Sequence, residues 1–379
     1  IYIHIFKNFY GEFFLMNYCK SCVLPNTRPN LFILPNGNCT ACETHTIKPK
    51  IDWKKRELNF KDIVKKVKKK KLLYDCLIPV SGGKDSTWQV VLAKKYGLNP
   101  LAFTYKPVLR TNIGQKNIDN LKKIGVHHIE FSVNEKVEKK FLKKAFVKFG
   151  AVAIPMHMAM WGISYNLAKK FKIPFIFFGE NSAREYGGSK KDLKLNRLNK
   201  KWIKKYGISF GTEPKDWIDQ DLTKQDLAPF IKDKIDKRNN PITLFMGEYF
   251  KWDPEQTYKF AKRYGFNIIK KKPKTGFYDY ADIDDDLISI HHYLKIYKYG
   301  FSRMYDNLSL EIRNKRIKRK DAIKIIKKDN FKAPKQDIKK FCQFIDITEK
   351  EFFKICEKFR NKKIWFKNKN KWVLNSTLK

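Results

Sequence analysis

The residues with the clearest chemical role form one short stretch that is polar and rich in glycine. Its members are Ser81, Gly82, Gly83, Lys84, Asp85 and Ser86. Two adjacent glycines let the backbone turn sharply and bring its N–H groups against an anion, with no Cβ in the way. The lysine adds a positive charge and the serines add hydroxyl donors. The stretch therefore predicts a phosphate-binding loop; the alternative is an ordinary Gly-Gly turn with a Ser or Asp helix cap.

The sequence on either side supplies elements that would position this loop. The apolar run Cys76–Val80 has the length of a buried strand, and residues 87–96 can form a helix that ends at Gly97. A helix that begins at the loop directs its free N–H groups and the positive end of its dipole toward a bound phosphate. The order strand, glycine turn, helix therefore agrees with the phosphate-binding interpretation.

Four cysteines near the start of the chain have the spacing of a metal site. They form two CxxC pairs separated by sixteen residues: Cys19, Cys22, Cys39 and Cys42. A two-residue gap lets both thiolates of a pair face one tetrahedral ion, so the spacing predicts a four-cysteine site for Zn²⁺. The segment has little apolar sequence, and we expect it to fold only with metal bound, at an apparent gain on the order of 10–16 kcal/mol. The alternatives are an iron–sulfur cluster and a redox dithiol; His45, beside four sufficient ligands, is predicted to lie on the surface.

Strands and helices alternate after the loop. Further strands are predicted at 101–105, 128–131 and 174–178, and helices near 115–124 and at 137–150 and 157–171. This alternation predicts an α/β fold with a doubly wound parallel sheet, in which ligands bind at the carboxyl ends of the strands.

A second polar group follows the strand at 174–178. Glu180 and Asn181 come almost directly after it, and the sequence Glu185-Tyr186-Gly187-Gly188 follows shortly. A carboxylate, an amide and a glycine turn at the end of a central strand suit a polar substrate or metal pocket, at the same edge as the phosphate loop. The alternative is a helix cap and a turn.

The second half of the chain gives fewer signals. Residues 189–240 are polar and are predicted to form an insertion or lid, and 245–250 is a strand candidate before a helix over Glu255–Tyr264. The acidic run Asp282–Asp286 could bind a cation, but because it precedes a helix predicted over Leu287–Tyr299, we interpret it as a helix N-terminal cap. A helical portion is predicted to continue to the last residue.

These patterns divide the chain into four parts. Residues 1–15 begin with Ile and precede Met16, so we expect them to be an upstream leader outside the working protein. Residues 16–52 form the zinc-binding segment, 53–280 the α/β domain and 281–379 the helical C-terminal region.

The composition excludes a disordered chain but leaves partners open. Of 379 residues, 42% are hydrophobic, and 81 basic against 38 acidic residues give a formal charge of +43. Such a charge favours nucleic acid or anionic membranes, but the lysines are dispersed through helical stretches, where they typically form a solvated face. We therefore predict no specific nucleic acid and, since no stretch is long and apolar enough to cross a bilayer, no membrane. The CxxC pairs suit metal binding in a reducing cytoplasm.

The loop resembles the SGGxDS pyrophosphate loop (PP-loop) of the N-type ATP pyrophosphatases, which split ATP between the α and β phosphates. It is not a Walker loop, because GxxxxGK[ST] needs four residues between its glycine and its Gly-Lys pair. The resemblance implies a PP-loop domain that binds ATP and Mg²⁺ through residues 81–86. Lys84, Asp85 and Ser86 would serve catalysis, with Asp85 close to the metal ion; Glu180 and Asn181 are candidates for metal or substrate contacts.

Several stretches together resemble the N-acetyl sugar amidotransferases of the WbpG and PseA type. The matching pieces are the paired CxxC motifs, Asp75-Cys76 before the loop, 178–181, 185–188, 264–266, 283–285, 298–303, Asp306 and 311–313. One departure is Ser302, where the family's GFGR stretch has a glycine.

This second resemblance implies a reaction. The enzyme would convert the N-acetyl group of a nucleotide sugar to acetamidino, with AMP and pyrophosphate released, in lipopolysaccharide or nonulosonic-acid biosynthesis. Ammonia would come from a separate glutaminase subunit of the class I kind, since no cysteine lies in a glutaminase-like nucleophile turn.

Two other functions are compatible with parts of the sequence. A tRNA-modifying PP-loop enzyme, such as a 2-thiolation enzyme, would explain the loop, the CxxC pairs and the positive charge, but the α/β domain has only Cys76 for sulfur chemistry. A nonenzymatic zinc-ribbon nucleic-acid binder would need a degenerate nucleotide fold, and the loop motif is intact.

Overall fold

The structure is a computed structural model that describes residues 15–189, 197–233, 240–269, 273–329, 331–376 and 378. Its helices are α1 Thr40–Ile47, α2 Trp53–Lys68, α3 Lys84–Lys95, α4 Asn112–Lys123, α5 Glu135–Phe149, α6 Ile154–Lys170, α7 Ser182–Glu185, α8 Lys200–Tyr206, α9 Lys224–Leu227, α10 Pro254–Lys262, α11 Leu287–Tyr299, α12 Arg303–Arg313, α13 Arg319–Lys328, α14 Lys335–Ile345 and α15 Glu349–Lys358. Its strands are β1 Cys76–Pro79, β2 Pro100–Tyr105, β3 His127–Phe131, β4 Phe175–Phe178, β5 Ile242–Phe245, β6 Trp365–Asn368 and β7 Lys371–Leu374.

The first five strands form one parallel sheet in the order β3-β2-β1-β4-β5. The order reverses at β1, because the chain first moves outward to β3 and then returns to β4 on the other side. Such a switch point places the carboxyl ends of β1 and β4 side by side, and ligands bind there in open α/β sheets. The predicted α/β class with a doubly wound parallel sheet is confirmed.

Both faces of the sheet are covered. Leu77 of β1 packs into a core with α5 and α6, whereas its neighbour Ile78 packs into a second core with α2, α3 and α4. Successive strand residues point to opposite faces, so an apolar run like that of β1 needs apolar neighbours on both sides. The two cores hold the β1 end rigidly beneath the loop that follows it.

The N-terminal segment packs on the C-terminal helices. Its cysteines and Leu24 form one buried cluster with Phe301, Tyr305 and Leu308. Met16 is fully buried and packs against Ile364 beside the β6–β7 hairpin. The segment therefore has an apolar partner that its own sequence does not show. The predicted leader falls mainly on residues 1–14, which lie outside the described residues.

Three local predictions differ from the structure. The strand expected at 245–250 is wrong beyond Phe245, because β5 ends there and a 3₁₀ turn over Met246–Glu248 brings Gly247 N to 3.1 Å from the carbonyl oxygen of Gly179. The C-terminal portion is helical only to Lys358 and then forms the β6–β7 hairpin. The short helix α1 begins directly after Cys39 and contains Cys42, and it was not predicted.

The predicted insertion is partly described. Residues 197–233 form short helices whose side chains Trp217, Leu222 and Phe230 are buried in the α5–α6 core; 190–196 and 234–239 lie outside the described residues. A lid function stays a prediction. Within the described part of the chain, no helix is long and apolar enough to cross a membrane.

Candidate active site

The predicted phosphate loop connects the end of β1 to the start of α3. Gly82 has φ +92°, a backbone conformation that favours glycine. A Cβ at this position would also lie 2.6 Å from the carbonyl oxygen of Gly114, so the turn fits against α4 only without a side chain. The path of the chain therefore requires the first glycine of the pair, whereas a Cβ at Gly83 would make only ordinary contacts.

Two serine hydroxyls hold the loop in shape. The backbone N–H of Ser81 donates to Ser86 Oγ at 2.9 Å, and the N–H of Gly83 donates to Ser81 Oγ at 3.3 Å. Gly83 is the N-cap of α3, and no side chain of the described residues caps that helix end. The first N–H groups of α3 therefore have no side-chain partner that competes with a phosphate.

Lys84 and Asp85 lie at the mouth of the loop. Lys84 Nζ is 2.5 Å from Asp85 Oδ2, and the other carboxylate oxygen accepts a hydrogen bond of 2.9 Å from Trp252 Nε1. The lysine nitrogen also lies 5.6 Å from the centroid of the Trp252 ring. The sequence did not indicate this role of Trp252, because the residue belongs to no motif and simply precedes the Asp-Pro pair at the start of α10.

Glu180 follows β4 and faces the same group. Burial and the nearby Asp85 carboxylate raise the pKa of Glu180 to about 7, and the charge of Lys84 opposes this rise. A carboxyl whose pKa is raised by another carboxylate is typical of a cluster that a cation would stabilise. The predicted convergence of Glu180 with the loop is found in the structure.

Asn181 is placed differently. Its Oδ1 accepts from Ala183 N at 3.1 Å and from Trp202 Nε1 at 3.2 Å, and its Nδ2 donates to Glu248 at 3.2 Å. Asn181 is 2% exposed. The amide therefore caps α7 and connects it to α8, as the alternative sequence interpretation proposed, and a direct contact with metal or substrate stays a prediction.

The acidic run before α11 also reaches the loop. A Cβ added at Gly83 would lie 3.8 Å from Asp284 Oδ2, and burial raises the pKa of Asp284 while a hydrogen bond to Ser81 lowers it. The backbone of Asp284 is fixed because its carbonyl oxygen accepts from Thr111 N at 3.1 Å. The capping interpretation holds for Asp285, which accepts from Leu287 N at 3.0 Å, but it misses Asp284.

A network of charges extends from this run to α12. Asp282 Oδ2 is 3.1 Å from Arg303 Nε and 3.5 Å from His292 Nε2. Although burial opposes it, the charge of Arg303 together with His292 holds the pKa of Asp282 well below its usual range. Asp306 lies one turn along and pairs with Lys295 at 2.6 Å and Arg28 at 2.9 Å. These buried pairs connect the acidic run, α11, α12 and the cysteine segment.

The four predicted metal ligands lie together in a separate cluster. The Sγ atoms of Cys19, Cys22, Cys39 and Cys42 all lie within 4.8 Å of one another, with 3.8 Å between Cys19 and Cys42 and 3.7 Å between Cys22 and Cys39. Tetrahedral zinc with bonds of about 2.3 Å separates its sulfurs by about 3.8 Å, so the arrangement fits zinc.

Hydrogen bonds around the cluster also fit a thiolate site. Cys19 Sγ accepts from the backbone N–H of Cys39 at 3.1 Å and of Cys22 at 3.4 Å. Arg319 Nε donates to the carbonyl oxygen of Cys22 at 3.0 Å, and this contact orients the chain of the first pair. As predicted, His45 is not one of the four ligands; it is half-buried, and burial with the charges of Arg313 and Lys48 lowers its pKa to about 4.

The two sites are joined through buried contacts. Lys48, just after α1, donates to both oxygens of Glu185, at 2.8 and 2.9 Å, and to the carbonyl oxygen of Trp252 at 2.9 Å. A Cβ at Gly187 would lie 2.5 Å from Leu31 Cδ1, so the predicted Gly-Gly turn fits directly against the cysteine segment. The segment 185–188 thus connects the cysteine cluster to Trp252 and the phosphate loop.

Comparison with known proteins identifies the C-terminal part of the chain. Residues 255–379 match the family described as LPS biosynthesis protein WbpG-like, C-terminal domain. Among curated proteins, no sequence matches the chain.

Two solved structures are similar to parts of this chain. The predicted subunit of a tRNA methyltransferase from Methanocaldococcus jannaschii is 19% identical, with 50% of this chain and 74% of that chain covered and a TM-score of 0.26. The NMN synthetase from Francisella tularensis is 14% identical, with 59% of this chain and 99% of that chain covered and a TM-score of 0.28. TM-scores this low carry no weight for the activity of this chain.

The family match includes Asp284, which lies against Gly83 of the phosphate loop, and Asp282, Arg303 and Asp306 of the charge network that extends from the acidic run. The match agrees with the WbpG-type resemblance of the sequence motifs. Residues 255–379 are therefore similar to the C-terminal domain of the WbpG-like LPS biosynthesis proteins.

Proposed function

We propose that this protein is an ATP-dependent amidotransferase that converts the N-acetyl group of a nucleotide-linked sugar to an acetamidino group. The observation that carries the proposal is the position of Asp284: a residue of the WbpG-like domain lies against Gly83 of the phosphate loop. The domain that gives the family and the loop that suits ATP therefore contribute to one site.

The loop residues fit the triphosphate of ATP. Lys84 supplies positive charge, and the N–H groups at the start of α3 supply donors beside a backbone that Gly82 holds open. Such donors, fixed before the reaction, stabilise charge on a departing pyrophosphate by roughly 3–4 kcal/mol for each well-aimed group. Asp85, Glu180 and Asp284 are hard oxygen ligands that would hold Mg²⁺, and the bound ion would neutralise charge on the phosphates.

The chemistry explains why ATP is needed. Ammonia cannot displace oxide from a resonance-stabilised amide, so the amide oxygen first needs a better leaving group. In the proposed reaction, the amide oxygen attacks the α-phosphorus of ATP. The bond between the α-phosphorus and the oxygen that bridges to the β-phosphate breaks. Pyrophosphate departs, and an O-adenylyl imidate is formed. Ammonia then adds to the imidate carbon, a proton is lost, and AMP departs with the former amide oxygen.

Ammonia is proposed to come from a separate glutaminase subunit of the class I kind. A glutaminase of that kind needs a reactive thiolate, whereas the three cysteines outside the metal cluster, Cys76, Cys342 and Cys356, are all buried. Burial raises the pKa of Cys342 to about 11 and that of Cys356 to about 12. The same burial of Cys76 disfavours a sulfur-carrying role in tRNA thiolation. We further propose that the enzyme works in the cytoplasm, on a sugar of lipopolysaccharide or nonulosonic-acid biosynthesis.

A product assay tests the proposal. The full chain is incubated with ATP, Mg²⁺, an ammonium salt and a panel of nucleotide-linked acetamido sugars, and AMP, pyrophosphate and sugar mass are measured. We expect AMP and pyrophosphate in equal amounts, together with a sugar that is about one mass unit lighter because NH replaces O. Formation of ADP and phosphate would contradict the loop assignment. AMP formation that depends on bulk tRNA instead of a sugar would favour the thiolation alternative.

A further inference from the structure

A cavity lined in part by Lys48 and Glu185 has no role in the proposed reaction. It has a volume of about 150 Å³ and lies between α1, the N-terminal half of α2 and α7. Its polar lining is largely basic: His45, Lys48, Arg56, Arg184, Glu185 and Arg313. Such a concentration of guanidinium groups in an enclosed space suits an anion.

The acidic groups near the cavity are already paired. Both oxygens of Glu185 accept from Lys48, and Glu248 Oε2 pairs with Arg184 at 2.8 Å and with Arg56 at 3.3 Å. Three cations therefore share two carboxylates, and Arg313 adds a fourth positive charge. The carboxylates do not use all of the guanidinium donors.

Two of the arginines keep a buried nitrogen without a partner. Nη1 of Arg184 and Nη1 of Arg313 have no hydrogen-bond acceptor among the described residues, although the Arg313 Nη2 donates to the carbonyl oxygen of Glu185 at 2.8 Å. Arg313 is only 8% exposed. A buried charged donor without an acceptor costs free energy, and the surrounding residues therefore do not fully compensate these two arginines.

Arg313 stays charged in this setting. Burial disfavours its charge, but a guanidinium is not deprotonated in a folded protein. His45, in contrast, is uncharged at neutral pH because its pKa is lowered to about 4. The positive charge that faces the cavity therefore comes from lysine and arginine and does not vary around neutral pH.

We infer that this cavity is a second binding site for a phosphate group, distinct from the phosphate loop. Arg184 and Arg313 both line the cavity, and the two negative charges of a phosphate match the excess of cations better than one carboxylate does. The site adjoins the loop, since Lys48 donates to the carbonyl oxygen of Trp252 and the indole of that residue donates to Asp85. The inference does not depend on the proposed reaction.

Titration calorimetry with inorganic phosphate tests the inference on the full, zinc-loaded chain. Because the loop can also bind phosphate, two variants are compared: Arg184→Lys, which keeps a charge beside Glu248 but removes the forked donor, and Lys84→Ala, which alters only the loop. We expect two binding phases in the wild type: Arg184→Lys should weaken one phase at least tenfold, and Lys84→Ala should change that phase less than twofold while it weakens the other. The reverse pattern, or no binding to the wild type at 10 mM phosphate, would overturn the inference.

A second variant and two further ligands complete the test. Arg56→Gln removes a more exposed cation from the same cavity, so it keeps the test decisive if Arg184→Lys does not fold; about a threefold to tenfold loss is expected. If acetate binds as tightly as phosphate, the cavity is a carboxylate site, and the inference of a phosphate site is overturned. A sugar 1-phosphate that binds more tightly than phosphate would support the site and identify its occupant as the phosphoryl group of a larger ligand; equal affinity would support free phosphate.

Discussion

The cysteine cluster and the phosphate-loop edge differ in how the chain builds them. All four thiols of the cluster come from 24 consecutive residues, Cys19 to Cys42, and two CxxC spacings suffice to bring them together. The loop edge instead joins residues 81–86 to Glu180, Trp252 and Asp284, which are far apart in sequence. One site is a local motif, and the other is a product of the fold.

This difference decides how each site depends on the rest of the molecule. A metal ion can organise a local motif directly, because ligand bonds replace a hydrophobic core. A site assembled at a sheet edge has its geometry only when the sheet, α4 and the C-terminal helices are packed together. Substitutions should therefore affect activity alone at the loop edge, and both metal content and stability at the cluster.

The largest effect is expected at the loop itself. Lys84→Ala and Asp85→Ala should each lower AMP formation by roughly 100- to 1,000-fold, because each removes charge that acts on the phosphates or their metal ion. The unfolding midpoint should change little, since both side chains lie at the mouth of the loop. Steady-state AMP release, with circular dichroism of the same samples, makes the measurement.

A control on the same helix sharpens this test. Lys95 is exposed at the far end of α3, and Lys95→Ala should leave turnover within about twofold of wild type. Near-normal turnover in both loop variants would show that the stretch is only a turn with a helix cap.

The next effect is expected at the cluster. Cys39→Ser should lose zinc. It should also lose most of the apparent metal-binding free energy of such sites, which is on the order of 10–16 kcal/mol. Metal content by mass spectrometry and the thermal unfolding midpoint check the two parts of the prediction.

A buried cysteine outside the cluster provides the control for this variant. Cys342 is 3% exposed in α14, so Cys342→Ser should cost some stability and keep one equivalent of zinc. If Cys39→Ser also retained one equivalent of zinc, a four-thiolate site would be ruled out.

The sequence predicted the local features of both sites well. The strand before the loop, the helix after it and the four thiols were identified because each depends on residues close together in the chain. Leu287–Tyr299 was predicted with the boundaries that the structure shows, since a cap, an apolar pattern and Gly300 all mark it.

What sequence reasoning missed depends on long-range contacts. Asp284 resembles a helix cap until Thr111 and Gly114 of α4 are seen to hold it against the loop. Trp252 and Lys48 belong to no sequence motif. The fold brings the indole of Trp252 to Asp85 and the ammonium group of Lys48 to the carbonyl oxygen of Trp252. The partial burial of His45 was not predicted, because α12, which brings Arg313 to it, starts about 260 residues later.

A smaller effect should follow from Asp284→Asn. Loss of this carboxylate should weaken Mg²⁺-dependent activity by roughly 10- to 100-fold, the range typical of groups that support a metal site. Asp285→Asn is the matched control, because an asparagine can still accept from Leu287 N, and its activity should stay near wild type. The dependence of AMP release on Mg²⁺ concentration separates the two. Equal curves for both variants would place Asp284 outside the site and reduce the loop edge to residues that the sequence had identified.

The last prediction concerns the stability contribution of a buried acid away from both sites. Glu138 is 4% exposed in α5 and accepts from Tyr105 Oη; burial, with a further contribution from Asp285, raises its pKa to about 8 from the usual 4.5. The folded state therefore holds a proton that the unfolded state loses, so the free energy of unfolding should fall as pH rises from about 4.5 to 8. The contribution of this group has a slope of up to about 1.4 kcal/mol per pH unit.

Glu138→Gln should remove this contribution, so that the variant equals wild type near pH 4.5 and is more stable at pH 8. Glu135→Gln, at an exposed position of the same helix, should keep the wild-type slope. Urea unfolding at several pH values measures both. An unchanged slope in Glu138→Gln would mean that the acid ionises without cost inside the protein, and burial alone would then not explain the raised pKa of Glu180 at the loop edge either.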